Sequence, residues 1–263
     1  MTRYFPLLVL AATLFVGGCA ADLDPTKNWS PERFYQEAKE KMADGDYETA
    51  IKHFETLEAR YPYGPYAEQA QLEIAYAYYK YNEPALAINA ADRFVRLHPT
   101  HPNVDYALYL KGLVNFKLER SFFDWLTGGH DDLSDRDPKG ARDAYLSFRE
   151  LVERFPRSRY AEDARARMAY LFNIQAKYEV QVARYYYERD AYVAAVNRCK
   201  YALENFPRTP TTEDALGIET LAYIKMGMTK LADDNLRVIK LNFPNSRYLG
   251  KIEDARAAAQ QKG

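Results

Sequence analysis

The sequence predicts an all-α protein, a right-handed solenoid of about five helical hairpins closed by a C-terminal helix. Three observations predict it. An aromatic- or His-Pro pair recurs at Tyr61-Pro62, His98-Pro99, Phe155-Pro156, Phe206-Pro207 and Phe243-Pro244. Twelve residues before each proline stands an alanine: Ala50, Ala87, Ala144, Ala195 and Ala232. Seventeen residues before it stand Gly45, Asn82, Lys139, Asp190 and Gly227, and four of these five tolerate the left-handed turn that ends a helix.

Each unit therefore reads as helix, tight turn, helix, proline stop. Eight residues before the prolines stand Phe54, Ala91, Phe148, Cys199 and Leu236; five before stand Leu57, Phe94, Leu151, Ala202 and Ile239. Spacings of four and three put these residues on one helical face with the alanines. Alanine lets a neighbouring helix approach, and the larger residues fill the next layer. Proline then ends the helix, because it lacks the backbone donor and disfavours helical geometry in the residue before it. The phrases PYAEQA (65–70), RYAEDA (159–164) and TTEDA (211–215) open the following helices with acids, which favour the positive end of the helix dipole. Phe34 and Ala38 take the aromatic and small positions of the first unit. An alanine in the second helix and a closing proline resemble the tetratricopeptide repeat. The prolines are spaced 37, 57, 51 and 37 apart, so the longer units carry insertions. One is the polar segment Ser121 to Pro138, expected as a loop; the other lengthens a helix from about Tyr160 to Glu188.

The amino-terminal end reads differently. Met1-Thr2-Arg3 precedes an apolar run from Phe5 to Val16, of signal-peptide length and too short to span a bilayer. It ends in Val16-Gly17-Gly18-Cys19, small residues before a thiol, which resembles the bacterial lipobox. That resemblance implies cleavage before Cys19, a diacylglycerol linked to its thiol by a thioether and an acylated new amino terminus, enough for stable anchoring. Ala20 follows where an Asp marks inner-membrane retention, which implies the periplasmic leaflet of the outer membrane. The expected organisation is a signal peptide (1–18), a lipidated tether (19–30), N-terminal repeats (31–120), an insert loop (121–138) and C-terminal repeats (139–263). The only other cysteine, Cys199, falls on the apolar face of its helix and reads as a packing residue.

Composition narrows the function. Lys+Arg number 36 and Asp+Glu 37, so no global basic field favours nucleic acid. No catalytic motif occurs, and His98 and His101 lack the third ligand that zinc requires. No catalytic residue, cofactor or metal is therefore expected, and the chain reads as a binding scaffold. Tyr residues number 23 against 13 Phe, and Tyr suits half-wet surfaces. On the helix from Tyr66 to Tyr81, Ala67, Ala70, Ile74 and Ala77 form an apolar stripe. Tyr76 and Tyr79 lie on another face, to be presented to a groove or packed on the next hairpin. Arg93 and Arg96 end the following helix near His98, as dipole partners or as a cluster for a peptide carboxylate.

Longer segments carry a more specific resemblance. YPYGPYAEQAQLEIAYAYYKYNEPALAINAADRFVRLHPTHPNVDYALYLKGL (61–113), SDRDP (134–138), AKYEVQVARYYYERDAYVAAVNR (176–198) and the lipobox together are similar to the lipoprotein-subunit family of the β-barrel assembly machinery. The resemblance implies help in folding and inserting β-barrel proteins into the outer membrane. It implies a peptide-binding side for unfolded β-barrel substrates within Tyr61–Pro102, where Tyr61, Pro62, Tyr66, Tyr76, Tyr79, Arg93, Arg96 and His98 are the candidates. It implies a docking side, on the long helix and Tyr192–Arg198, for a BamA-like barrel subunit and other lipoproteins of the machinery. Tyr192 and Arg198 are its candidates, Arg198 either in an interface ion pair or as a solvated charge. Competing readings are a secretin pilotin, a Tol-associated periplasmic coordinator and, from a different class, a peptidoglycan hydrolase accessory.

Overall fold

The computed structural model describes residues 24–127 and 139–261, with the side chains of 118–127 left aside. The predicted signal peptide and Cys19 lie outside the described residues. Eleven helices and no strands are found among those that are described. They form five hairpins and a final helix, as the sequence predicts. The chain divides into two compact units, one ending at Ala70 and the other beginning at Gln71. That boundary falls inside a helix, not in the 121–138 segment.

The first unit contains α1 (Pro31–Ala43) and α2 (Tyr47–Arg60). Ser30 caps α1, its Oγ accepting from the Arg33 N–H at 3.2 Å, and Pro31 takes a first-turn position where no donor is needed. Gly45 turns the chain at φ +81°, and Asp46 caps α2 through the Thr49 N–H at 3.1 Å. Phe34, Ala38, Ala50, Phe54 and Leu57 interlock with no exposed surface. The segment expected as a tether is instead seated on this hairpin from Asp24 onward. The Trp29 ring lies 5.1 Å from Phe34 and 5.4 Å from His53. Arg60 pairs with Asp24 and donates to the Thr26 carbonyl at 2.6 Å. Trp29 is half-buried there, its ring removing apolar surface from water while Arg60 holds the start of the segment.

The second unit begins within α3 (Pro65–Lys80). It continues through α4 (Pro84–Leu97), α5 (Val104–Thr127), α6 (Lys139–Arg154), α7 (Ala161–Glu188), α8 (Tyr192–Asn205), α9 (Thr212–Lys225), α10 (Thr229–Asn242) and α11 (Tyr248–Gln260). From α4 to α10, neighbours within a hairpin and across hairpins pack in chain order; α11 folds back mainly on α9. Asn82, Asp190 and Gly227 occupy the left-handed region at the predicted turns. All fifteen aligned repeat positions are buried, Leu236 and Ala202 being the only ones above 1% exposed, at 7% and 4%. Helix α5 runs on to Thr127, so the first part of the predicted insert loop is helical. No glycine or proline interrupts the sequence between Gly112 and Gly128, which leaves nothing to end the helix earlier. The remainder, 128–138, lies outside the described residues.

Two glycines decide how closely helices pack. A Cβ on Gly112 would fall 2.4 Å from the Phe148 ring, and one on Gly217 would fall 2.2 Å from the Tyr248 ring. Each helix lacks a side chain where another helix inserts an aromatic, α6 against α5 at Gly112 and α11 against α9 at Gly217. Cys199 is fully buried beside Glu219, and burial, then that carboxylate, push its thiol well above the usual range. It is a packing residue, as predicted. Glu219 is itself buried and accepts from the Tyr223 hydroxyl at 2.8 Å and from Asn235 Nδ2 at 2.9 Å.

Candidate peptide-binding and docking surfaces

In the first unit, Tyr61 ends α2 and is half-buried. Its hydroxyl donates to the Trp29 carbonyl at 2.8 Å, so its polar end is already committed to holding the amino-terminal segment. Pro62 is exposed, and Tyr63 beside it stands 92% exposed. Tyr66 is half-buried, its ring 5.7 Å from Tyr35. Sequence reasoning passed over Tyr63, although its place in Tyr-Pro-Tyr-Gly-Pro, between two prolines, puts it outside any helix face.

In the second unit, Tyr76 and Tyr79 are half-buried against the cluster of Ala75, Ala91 and Leu110. They pack on the next hairpins and keep part of each ring in solvent. The Lys117 ammonium lies 5.7 Å from the Tyr79 ring centre and donates to Asn82 Oδ1 at 3.0 Å. His98 Nε2 meets Oε1 of the buried Gln71 at 2.9 Å, and its ring packs 5.3 Å from Phe94. His98 thus satisfies a core amide. Arg93 and Arg96 are exposed near the end of α4, with Arg96 in its last turn. Among the described residues no group of three or more His, Cys, Asp or Glu could hold a metal.

The structure adds aromatics that sequence reasoning missed. Tyr109 of α5 stacks on Tyr160, centres 4.6 Å apart and planes 18° apart. Tyr106 lies 5.6 Å from the same ring. The Tyr109 hydroxyl donates to Asp163 Oδ2 at 2.7 Å, and the Arg167 guanidinium pairs with Asp163 while covering the Phe116 ring at 4.7 Å. Burial alone would raise the Asp163 carboxyl, but the Arg167 and Tyr109 donors outweigh it and hold it below the usual range. Burial, then Glu73 of α3, pushes the Tyr106 hydroxyl well above the ordinary tyrosine value. A signal was present: Tyr106 and Tyr109 repeat the three-residue spacing of Tyr76 and Tyr79.

On the predicted docking side, the Tyr192 hydroxyl donates to Asp190 Oδ1 at 2.5 Å. That bond, then burial, pushes the hydroxyl up to about 12. Arg198 Nη1 lies 2.9 Å from Glu179 Oε2 of the long helix. The Glu179 side chain is 10% exposed and that of Arg198 is 44% exposed, so the cation keeps an open flank. Arg198 neutralises a buried carboxylate on one flank and faces solvent on the other.

A family model described as YfiO, outer membrane lipoprotein, matches residues 27–239. The chain belongs to this family of outer membrane lipoproteins. It is 47% identical over 242 residues to the outer membrane protein assembly factor BamD of Neisseria meningitidis serogroup A, covering 92% of this chain and 90% of that one. Against the factor of the same name from Vibrio cholerae the identity is 36% over 244 residues, covering 91% of this chain and 99% of that one. A thermophilic TPR protein of Thermus thermophilus aligns over 88% of this chain and 100% of its own, with 15% identity and a TM-score of 0.37. No described helix is long and apolar enough to cross a membrane.

Proposed function

We propose that the chain is an outer membrane protein assembly factor, anchored by lipid on Cys19 at the periplasmic face and acting as a scaffold in the insertion of β-barrel proteins. The 47% identity over 242 residues with the meningococcal factor carries this reading. The scaffold has two working sides. Tyr61, Pro62 and Tyr66 in the first unit meet unfolded β-barrel substrates, and so, in the second unit, do Tyr76, Tyr79, Arg93, Arg96 and His98. Tyr192 and Arg198 serve the side that docks a BamA-like barrel subunit and companion lipoproteins.

The physical support lies in the half-buried tyrosines. An unfolded barrel strand alternates apolar and polar residues. Rings that are packed on one flank and wet on the other can hold the apolar set weakly and release it, as a relay must. No reacting group, cofactor or metal enters this account.

The test is co-purification. The tagged chain is extracted from the outer membrane and the accompanying barrel protein is identified. An assembly barrel subunit is expected. Recovery of a secretin without one rejects the reading. Replacing Cys19 by Ala is expected to release the chain from the membrane fraction.

A further inference from the structure

A cleft of about 510 Å³ opens between α6, α7 and α8 in the second unit. One wall of it is apolar. Leu146 is 38% exposed and Tyr201 47% exposed. Phe206 backs them, its ring 6.1 Å from Tyr201 and 5.2 Å from Phe172, both edge-on. The wall is therefore a supported aromatic corner, with side chains already held in place before anything binds.

The charges around it do not cancel. Lys139 and Arg142 line the cleft, both exposed, and neither has a partner among the described residues. They stand in the first turn of α6, the positive end of its dipole, where a carboxylate is favoured twice over. Two carboxylates also line the cleft. Glu179 is answered by Arg198, which leaves Asp143 against two cations. A rigid apolar corner beside an excess of positive charge matches one chemistry.

We infer that this cleft docks a segment of a partner subunit that presents an aromatic or aliphatic side chain flanked by carboxylates. The apolar side chain enters between Leu146, Tyr201 and Phe206, and the carboxylates meet Lys139 and Arg142. The Arg142 fork can take a carboxylate bidentately, which sets direction as well as affinity. The inference rests on the docking side of the proposed function and assigns that side a pocket and a ligand class.

The test uses the full chain with a fluorescein-labelled peptide of alternating Asp and Phe, its Lys-Phe counterpart, and the purified barrel subunit. The acidic peptide is expected to bind and the basic one is not. Lys139→Glu combined with Arg142→Glu is expected to weaken both the peptide and the subunit at least about tenfold, and Tyr201→Ala about tenfold. All three residues are exposed, so helix content and Tm are expected to hold. A double charge reversal that leaves both affinities unchanged overturns the inference while leaving the docking reading in place. Failure of the unmodified chain to bind the subunit sinks the docking reading itself. The chain's own acidic run is a competing occupant. Replacing Asp131, Asp132, Asp135 and Asp137 by Asn is expected to leave peptide affinity unchanged. A gain of about tenfold identifies that run as the occupant and overturns the partner assignment.

Discussion

The aromatic face of α3, α5 and α7 and the charged face of α7 and α8 solve the same problem in opposite ways. Both must stay exposed enough to bind and ordered enough to bind specifically. On the aromatic face the polar ends are tied to protein partners, Tyr109 to Asp163 and His98 to Gln71, while ring surface stays partly wet. On the charged face the carboxylate is the buried partner, and the open flank belongs to Arg198. The first face is suited to weak and tolerant contact, since a ring flank accepts many apolar side chains. The second is suited to a defined partner, since displacing Arg198 would leave Glu179 unanswered.

The largest expected effect tests whether both faces share one rigid frame. Phe148 is fully buried between α5 and α6, and Phe148→Ala is expected to cost about 3–5 kcal/mol. Urea unfolding measures it; a loss under about 1 kcal/mol means the hairpins do not depend on that contact. Gly217→Ala places a methyl against the Tyr248 ring and is expected to cost about 1–3 kcal/mol, read as a lower Tm. Gly250, with open space around it, is the control, since a Cβ there meets nothing within 4 Å.

The next effects separate the faces. Arg198→Ala strands the buried Glu179. With Arg198 itself 44% exposed, the expected loss is only about 1–2 kcal/mol. Glu179→Gln in the same background is expected to restore most of it. Replacing Tyr76 and Tyr79 by Ala is expected to weaken an aromatic-ended β-strand peptide about tenfold. Unchanged affinity removes the aromatic face from substrate binding.

The smallest effect is the pH response of Tyr192. Its folded hydroxyl is raised to about 12 from an ordinary value of 10. The Asp190 bond therefore contributes fully below about pH 10, and its contribution is lost as pH rises through about 12. Tyr192→Phe is expected to flatten the unfolding midpoint across that window, while a variant of Tyr109, tied to Asp163 instead, leaves the Tyr192 step in place.

Much of this was legible in order of chain locality. The alanine and aromatic positions of the second helices were readable because each must meet a neighbour at a fixed helical spacing, and all are buried. Cys199 was readable for the same reason. The seating of Trp29 was not, because His53 beside it and the Arg60 that holds Asp24 both come from the second helix of the hairpin. The stacked Tyr109–Tyr160 pair was missed because the two rings are 51 residues apart and belong to different hairpins. Family resemblance pointed to Arg198 but not to Glu179, its partner 19 residues upstream.

By itself, the sequence determined the hairpins, their left-handed turns at Gly45, Asn82, Asp190 and Gly227, the proline stops and the buried face of each second helix. Those depend on backbone chemistry and periodicity, which act within a turn or two. Only the tertiary structure decided which tyrosines keep a wet flank, that Arg198 answers Glu179, and that Lys139 and Arg142 share a cleft with Tyr201. Those depend on which helices meet, and no spacing along one helix encodes a neighbour contributed by another.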